Sequence, residues 1–433
     1  MKDLIEELYL TNRAFVTDDY QACLDYIDAN ELPLDYHEFQ SGHEVWDSWV
    51  VPQKWTVNHA YIEADGERIL SFDDHPLHLI AYSDSFEGRI SREQLVDHVH
   101  TDSDDPDAIP WHYTLNYRPW KSEWGFCASQ RFVESLDRDE YYVSIDTTFE
   151  DDVMTVAEHH LPGASEDTIV VMAHLDHTGM ANDDLSGVAA GVELLQRLRD
   201  REDRTYSYKL LLVQERLGSA AYLERFAEEV ENFVCGVFLE MLGNDNRLVL
   251  QRTFTGDTKL DAVAEHVFEV EVDSGAVGEF LSYIGNDELM LEAPGYEIPT
   301  ISVNRFPYPE YHTHFDDPTI ISEEQLEDAV TSVETIIDIL ENDFVPIREF
   351  SGIPSLANPK YDLYLTSEAV DDDVGRDEAI GEFRTRVFRT LDGDLSAFDI
   401  ARQFGLEFEF VRSYLREFEE KGLIRTERPA FDA

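Results

Sequence analysis

Residues 168–198 read TIVVMAHLDHTGMANDDLSGVAAGVELLQRL. Thr168–Ala173 is a short, β-branched apolar run, the pattern of a strand buried on both faces. It delivers His174, Asp176 and His177 at its carboxyl end. Asp183 follows nine residues after His174, at the mouth of a predicted helix through Gly187, Ala189, Ala190 and Gly191. Small residues there would let the helix pack closely on a sheet. An imidazole at a strand end and a carboxylate at the next helix start can bring ligands to one metal in an α/β fold.

Three later segments repeat the arrangement. Tyr208–Gln214 reads as a strand ending at Glu215, and Val234–Leu239 as another ending at Glu240. Ile298–Phe306 is a third, followed by the loop PYPEYHTHFDD with His312 and His314. Ligands in open α/β sheets gather at the carboxyl ends of strands. A set of His, Asp and Glu without Cys suits a hydrolytic Zn²⁺ better than a structural one.

On this reading His174, Asp183, Glu240 and His312 are the candidate metal ligands. Asp183 could bridge two ions; as an N-cap its side chain would serve the helix start instead. Glu240 could complete a second site or sit in a partly buried ion pair. Glu215 is the candidate general base, since a carboxylate near a metal can shuttle a proton from water to a leaving amine. Asp176 could accept a hydrogen bond from the second nitrogen of His174 and fix its tautomer. Asp287 is a candidate contact for a substrate amine or a second-shell acceptor, and a turn residue equally well. Tyr311, beside His312, is a candidate substrate contact.

The whole chain has 433 residues, 92 acids and 33 bases, for a formal charge of −59. Such a length predicts two or three domains. Acid excess alone would suggest disorder, but 43% hydrophobic residues are enough to build cores. Only seven of the bases are Lys. That balance fits a protein adapted to molar salt, where a Debye length of about 3 Å screens self-repulsion. Cys23, Cys127 and Cys235 form no paired motif, as expected in a reducing cytoplasm. The acidic start MKDLIEELYL lacks a signal peptide's basic region, and no run approaches a membrane span. A cytoplasmic protein without a membrane partner is the expectation.

Residues 1–37 read as helix with a short loop. Short aromatic and β-branched stretches between 41 and 118 predict a small β-rich insertion. Tyr142–Asp146 and Asp152–Ala157 read as early strands of the catalytic domain, assigned to 1–40 and 119–346. Residues 347–377, turn-rich and acidic, read as a linker, and 378–433 as a separate domain. Its helices are expected at Glu378–Leu391, Ala397–Phe404 and Glu407–Lys421, with a strand in GLIRTER. That order resembles a winged helix-turn-helix. The fold class expected is α/β: a mixed sheet flanked by helices, with a β-rich insertion and a C-terminal winged helix.

AHLDHTGMANDDLSG, QERLGSAAYL, FLEMLG and PEYHTHFDD resemble the zinc-dependent aminopeptidases of the bacterial leucyl aminopeptidase type. SGHEVWDSWVVPQKWTV, DPDAIPWHYTLNYRPWKSEWGFCAS and GNDELMLEAPGYEIPTISVNRFPYPEYHT are similar to an aminopeptidase-like family with a β-rich insertion and a C-terminal winged helix. The resemblance implies that His174 is the first metal histidine, Asp183 the bridging aspartate and His312 the last metal histidine. Where that clan has adjacent glutamates, this chain has Gln214-Glu215, and Glu240 stands where the clan uses a metal-binding aspartate. One Zn²⁺ held by His174, Asp183 and His312 is therefore an alternative to two ions, with Co²⁺ or Mn²⁺ as acceptable replacements.

The function implied is an aminopeptidase in which zinc-bound water attacks the first peptide bond of a peptide or small amide. Two alternatives stand beside it. One is an amidohydrolase that deacylates an amino sugar or small metabolite. The other is a metal-binding regulator with a DNA- or protein-binding winged helix. The candidate recognition helix, 407–421, carries five Glu against two Arg and one Lys. Phosphate is a poor partner for that surface, so self-association or a protein partner is favoured over nucleic acid.

Overall fold

The computed structural model describes residues 1–272, 274–365 and 374–431. The chain divides into two compact units, Met1–Val333 and Glu334–Ala433. The first is mixed α/β and is built on an eight-stranded sheet. In chain order its strands are β1 (Asp35–Gln40), β2 (Val153–Leu161), β3 (Thr168–His174), β4 (Ser207–Val213), β5 (Phe233–Leu239), β6 (Val249–Gln251), β7 (Ala276–Gly278) and β8 (Thr300–Asn304). Their spatial order is β1-β2-β4-β3-β5-β8-β6-β7. The four central strands, β4, β3, β5 and β8, run parallel. Their carboxyl ends therefore meet on one edge, where the four predicted strand ends were expected to converge.

Every residue of β3 and β4 is buried, as near-continuous apolar runs require when both faces of a sheet are covered. Helix α1 (Gly187–Arg199) packs on this sheet. A Cβ at Gly191 would approach Leu210 Cδ1 to 2.8 Å, so the predicted need for small residues has a steric basis.

A second, antiparallel sheet has the order Glu67–Ser71, Lys54–Ala64, Glu140–Glu150, Phe86–Ser91. This corrects the sequence reading of Tyr142–Asp146, which lies in the inner strand Glu140–Glu150 rather than in the main sheet. Alternation marks a strand but leaves its partners open, and here the long-range pairing decided. The β-rich portion thus reaches beyond residue 118. Residues 35–40, the first three of which fall in the stretch expected as helix and loop, form β1 against β2.

In the second unit, helices span Val374–Arg386, Ala397–Phe404 and Phe408–Glu420. Ser396 and Asp399 form a capping box, and Gly405 closes the middle helix in the left-handed conformation. Strand Ile424–Glu427 pairs with Val345–Arg348. Leu356 and Leu363 are buried in this unit's core, so 347–365 is not the free linker its turn-rich composition predicted. The acidic remainder, 366–373, lies outside the described residues. The three cysteines are free and buried. Among the described residues no helix is long and apolar enough to cross a membrane.

A buried ion pair ties the main sheet to its flanking helix. Lys209 of β4 donates to Glu158 of β2 at 2.9 Å and also to Glu229, while His37 stands 3.3 Å from Glu158. Burial pushes the Glu158 carboxyl up, but hydrogen bonds from His37, Tyr222 and Lys209 outweigh it and hold it at about 2. A depressed carboxyl stabilises the fold above its ordinary value of about 4.5, and that contribution fades as pH falls toward 2. Lys209→Met should destabilise the protein by roughly 3 kcal/mol at neutral pH. Unfolding followed at several pH values should show the gap to wild type narrowing between about pH 4.5 and 2. A gap constant across that range would contradict the linkage.

Candidate metal centre

His174 closes β3, and Asp183 sits in the turn that leads into α1. The loop after β8 returns His312 to the same point. His174 Nε2 lies 3.1 Å from Asp183 Oδ1, and His312 Nε2 lies 3.1 Å from Asp183 Oδ2. His177 Nε2 joins them, 3.6 Å from Oδ2. His174, His177 and Asp183 are fully buried, and donor atoms from all three lie within 4.8 Å of one another.

Asp183 Oδ2 and His312 Nε2 are both buried without a hydrogen bond. Two ligands bound at 2.0–2.1 Å on a tetrahedral ion sit roughly 3.3 Å apart. The spacing of these atoms is compatible with a ligand shell. Burial pushes the Asp183 carboxyl up, yet His177, His174 and His312 together hold it well below the usual carboxylate range. Burial drives His177 well below its ordinary value, leaving a neutral imidazole with a lone pair to give. These four residues could hold a transition-metal ion such as zinc.

Outer contacts fix the cluster. Asp316 accepts from the backbone N–H groups of Asn182 and Asp183 and from the Tyr308 hydroxyl at 2.6 Å. It thereby joins the His312 loop to the Asp183 turn. Arg13, itself fully buried, donates to the carbonyls of Leu175 and Met180, each at 2.9 Å, and to that of His177. The loop carrying His177 is thus held from the N-terminal segment. Tyr311 stacks on the His312 ring at 3.7 Å and Trp111 stands 4.3 Å from that of His177.

Several expected roles shift. Asp176 does not reach the second nitrogen of His174. Its Oδ1 accepts from the Glu215 N–H at 2.7 Å, and burial pushes its carboxyl up to about 8. β3 ends at His174, so the two-residue periodicity that would return Asp176 to the same face is lost. Asp287 stands there instead, with Oδ2 3.5 Å from His174 Nδ1. Its other oxygen accepts from Arg216 N and Ser219 Oγ. Asp287 is fully buried, with both oxygens turned to protein groups. Glu240 lies outside the converging donor set; Asn286 and Ser302 donate to it. Tyr311 braces His312, and His314 turns away, its Nδ1 accepting from Ile109.

Glu215 emerges at the end of β4 with Oε2 accepting from the Tyr117 hydroxyl at 2.6 Å. Arg216 Nε lies 3.3 Å from Oε1. Sequence reasoning gave no role to His177, Tyr117, Asp316 or Arg13. His177 had a signal, the three-residue spacing from His174 beyond a strand end. The other three act from distant segments, and nothing local marks them.

The sheet order and the site at its strand ends define the fold of the zinc aminopeptidases. The zinc aminopeptidase BSAP of Bacillus subtilis superposes with a TM-score of 0.57 at 14% identity, over 78% of this chain and 93% of that one. A peptidase M28 precursor from Shewanella amazonensis gives 0.55 at 14% identity, over 78% and 92%. A crystal structure from Clostridium acetobutylicum, titled "putative peptidase", gives 0.86 at 26% identity, over 98% of this chain and 96% of that one. The same organism has a curated relative, 29% identical over 95% of this chain and 92% of its own length. Its name is "Putative polysaccharide biosynthesis protein with aminopeptidase-like domain". The chain belongs to the family described as "Domain of unknown function (DUF4910)", whose model matches residues 2–343.

The ligand set makes a differential prediction. Metal analysis of the purified protein should find zinc, with occupancy strongly reduced in His177→Ala and His312→Ala and retained in Glu240→Gln. Full zinc content in a His177→Ala/His312→Ala double variant would refute the site.

Proposed function

We propose that this protein is a metal-dependent amide hydrolase, most simply an aminopeptidase acting on peptides or small amides. The observation that carries the reading is the convergence of His174, His177 and His312 on the two oxygens of Asp183. The names of its relatives, with peptidase and aminopeptidase-like domain among them, support it.

A bound zinc ion would supply Lewis-acid polarisation of the scissile carbonyl and a more acidic water. The chain's own part falls to Glu215. Its carboxylate takes a proton from the attacking water and returns it to the nitrogen of the leaving amine as the C–N bond breaks. Tyr117 and Arg216 hold that carboxylate from either side. Asp176 fixes the backbone beneath it through the Glu215 N–H, and Asp287 orients His174.

A second substrate class has one specific support. The curated relative's name places it in polysaccharide biosynthesis, which favours deacylation of an amino sugar by the same chemistry. The second unit's three helices and strand support a winged-helix reading, with docking or self-association as its role. The charge of −59 with few Lys supports adaptation to molar salt and a cytoplasmic setting.

Glu215→Gln separates base from ligand. Hydrolysis of an aminoacyl-amide panel should fall by about a hundredfold or more, with metal content unchanged. Loss of metal in proportion to activity would make Glu215 a ligand. Wild-type protein that holds zinc but cleaves N-acyl amino sugars and no aminoacyl amide would decide for the second substrate class.

A further inference from the structure

Beside Glu215 lies a cavity of about 360 Å³, lined by Trp49, Tyr113, Tyr117, Arg118 and Arg216 as well as Glu215 itself. It adjoins the candidate centre, since the Tyr113 ring stands 5.3 Å from that of His312. Its charge is unusual for this chain. Across the whole sequence acids outnumber bases 92 to 33, yet here two arginines and a single carboxylate, that of Glu215, line the wall. That carboxylate is already engaged by Tyr117 and Arg216. Arg118 is left over: it is exposed, and among the described residues its side chain has neither a hydrogen bond nor an ion pair. It also lines a neighbouring, larger cavity that Trp120 borders, so it stands at the junction of the two.

The volume lies near the lower end for small-molecule sites, room for about one residue-sized group. Tyr and Trp walls lower the local dielectric and so strengthen an ion pair formed there. Glu215 returns its proton to the leaving nitrogen, so the leaving portion of the substrate lies on Glu215's side, where this cavity opens. An interior peptide residue would offer Arg118 only a neutral amide. A terminal carboxylate or a phosphate would offer a full counter-charge and a charge-assisted hydrogen bond.

From this arrangement we infer that the substrate carries an anionic group, carboxylate or phosphate, on its leaving-amine side, with Arg118 as the specificity-determining residue. The inference rests on the hydrolase reading and narrows it to short amides such as dipeptides with a free terminal acid.

The test uses the zinc-loaded full chain in molar salt, with two readouts. Titration calorimetry compares N-acetylglycine, N-acetylglycinamide and N-acetylaminomethylphosphonate; hydrolysis assays compare leucylglycine with leucylglycinamide. Wild type should bind an anionic probe at least about tenfold more tightly than the amide. It should favour leucylglycine by a similar factor in kcat/KM, carried mainly by KM. The stronger of the two anionic probes identifies carboxylate or phosphate. In Arg118→Gln both preferences should fall close to unity, with Arg118→Lys retaining part of each. A preference that survives Arg118→Gln would come from the metal and would overturn the inference, as would equal binding of acid and amide by wild type. Arg118-dependent binding without hydrolysis of any amide would uphold the subsite and remove the hydrolase reading. Hydrolysis without acid preference would do the reverse.

Discussion

Everything in the first unit is arranged around one costly group, the buried carboxylate of Asp183. An ionised carboxylate removed from water costs several kcal/mol even after relaxation. The surrounding histidines hold the carboxylate ionised, and burial keeps His177 neutral with a lone pair to give. A cation shared by the three imidazoles and the carboxylate would offset the cost of burying that charge. Metal occupancy would then be linked to the stability of the loops that form the site.

That constraint explains the supports around it. The parallel run β4-β3-β5-β8 sends its strand ends to one edge, which supplies His174 and Glu215. Loops then have to complete the shell, and loops move unless they are tied. Asp316 ties the His312 loop to the Asp183 turn, and Arg13 ties the His177 loop to the N-terminal segment. Both act through backbone groups, so they set position without competing for the ion. On the other flank, Asp287 reaches His174 while accepting from Arg216 and Ser219. One buried carboxylate thus couples a ligand to the turn that presents Glu215.

The sequence announced much of this. Short apolar runs identified the four central strands, because a strand covered on both faces has little polar side to confuse the pattern. The residues at their ends followed, and His174, Asp183 and His312 meet as their positions suggested. What lay beyond reach depends on pairing at long range. Glu140–Glu150 alternates like any half-buried strand, and nothing in it names Lys54–Ala64 and Phe86–Ser91 as partners. Asp287 rather than Asp176 stands at the second nitrogen of His174, because spacing assigns a neighbour in sequence whereas this partner lies more than a hundred positions away. Leu356 and Leu363 were masked by the turn-rich composition around them, although two buried leucines suffice to anchor that stretch to a core.

The central claim is that Asp183 is the hub of a metal centre, and zinc-edge anomalous diffraction from crystals grown with zinc tests it most directly. The expected peak lies about 2.0–2.2 Å from an Asp183 carboxylate oxygen and from Nε2 of His174, His177 and His312. A zinc-loaded crystal with no peak there, or with its strongest peak on Glu240 away from Asp183, would contradict it.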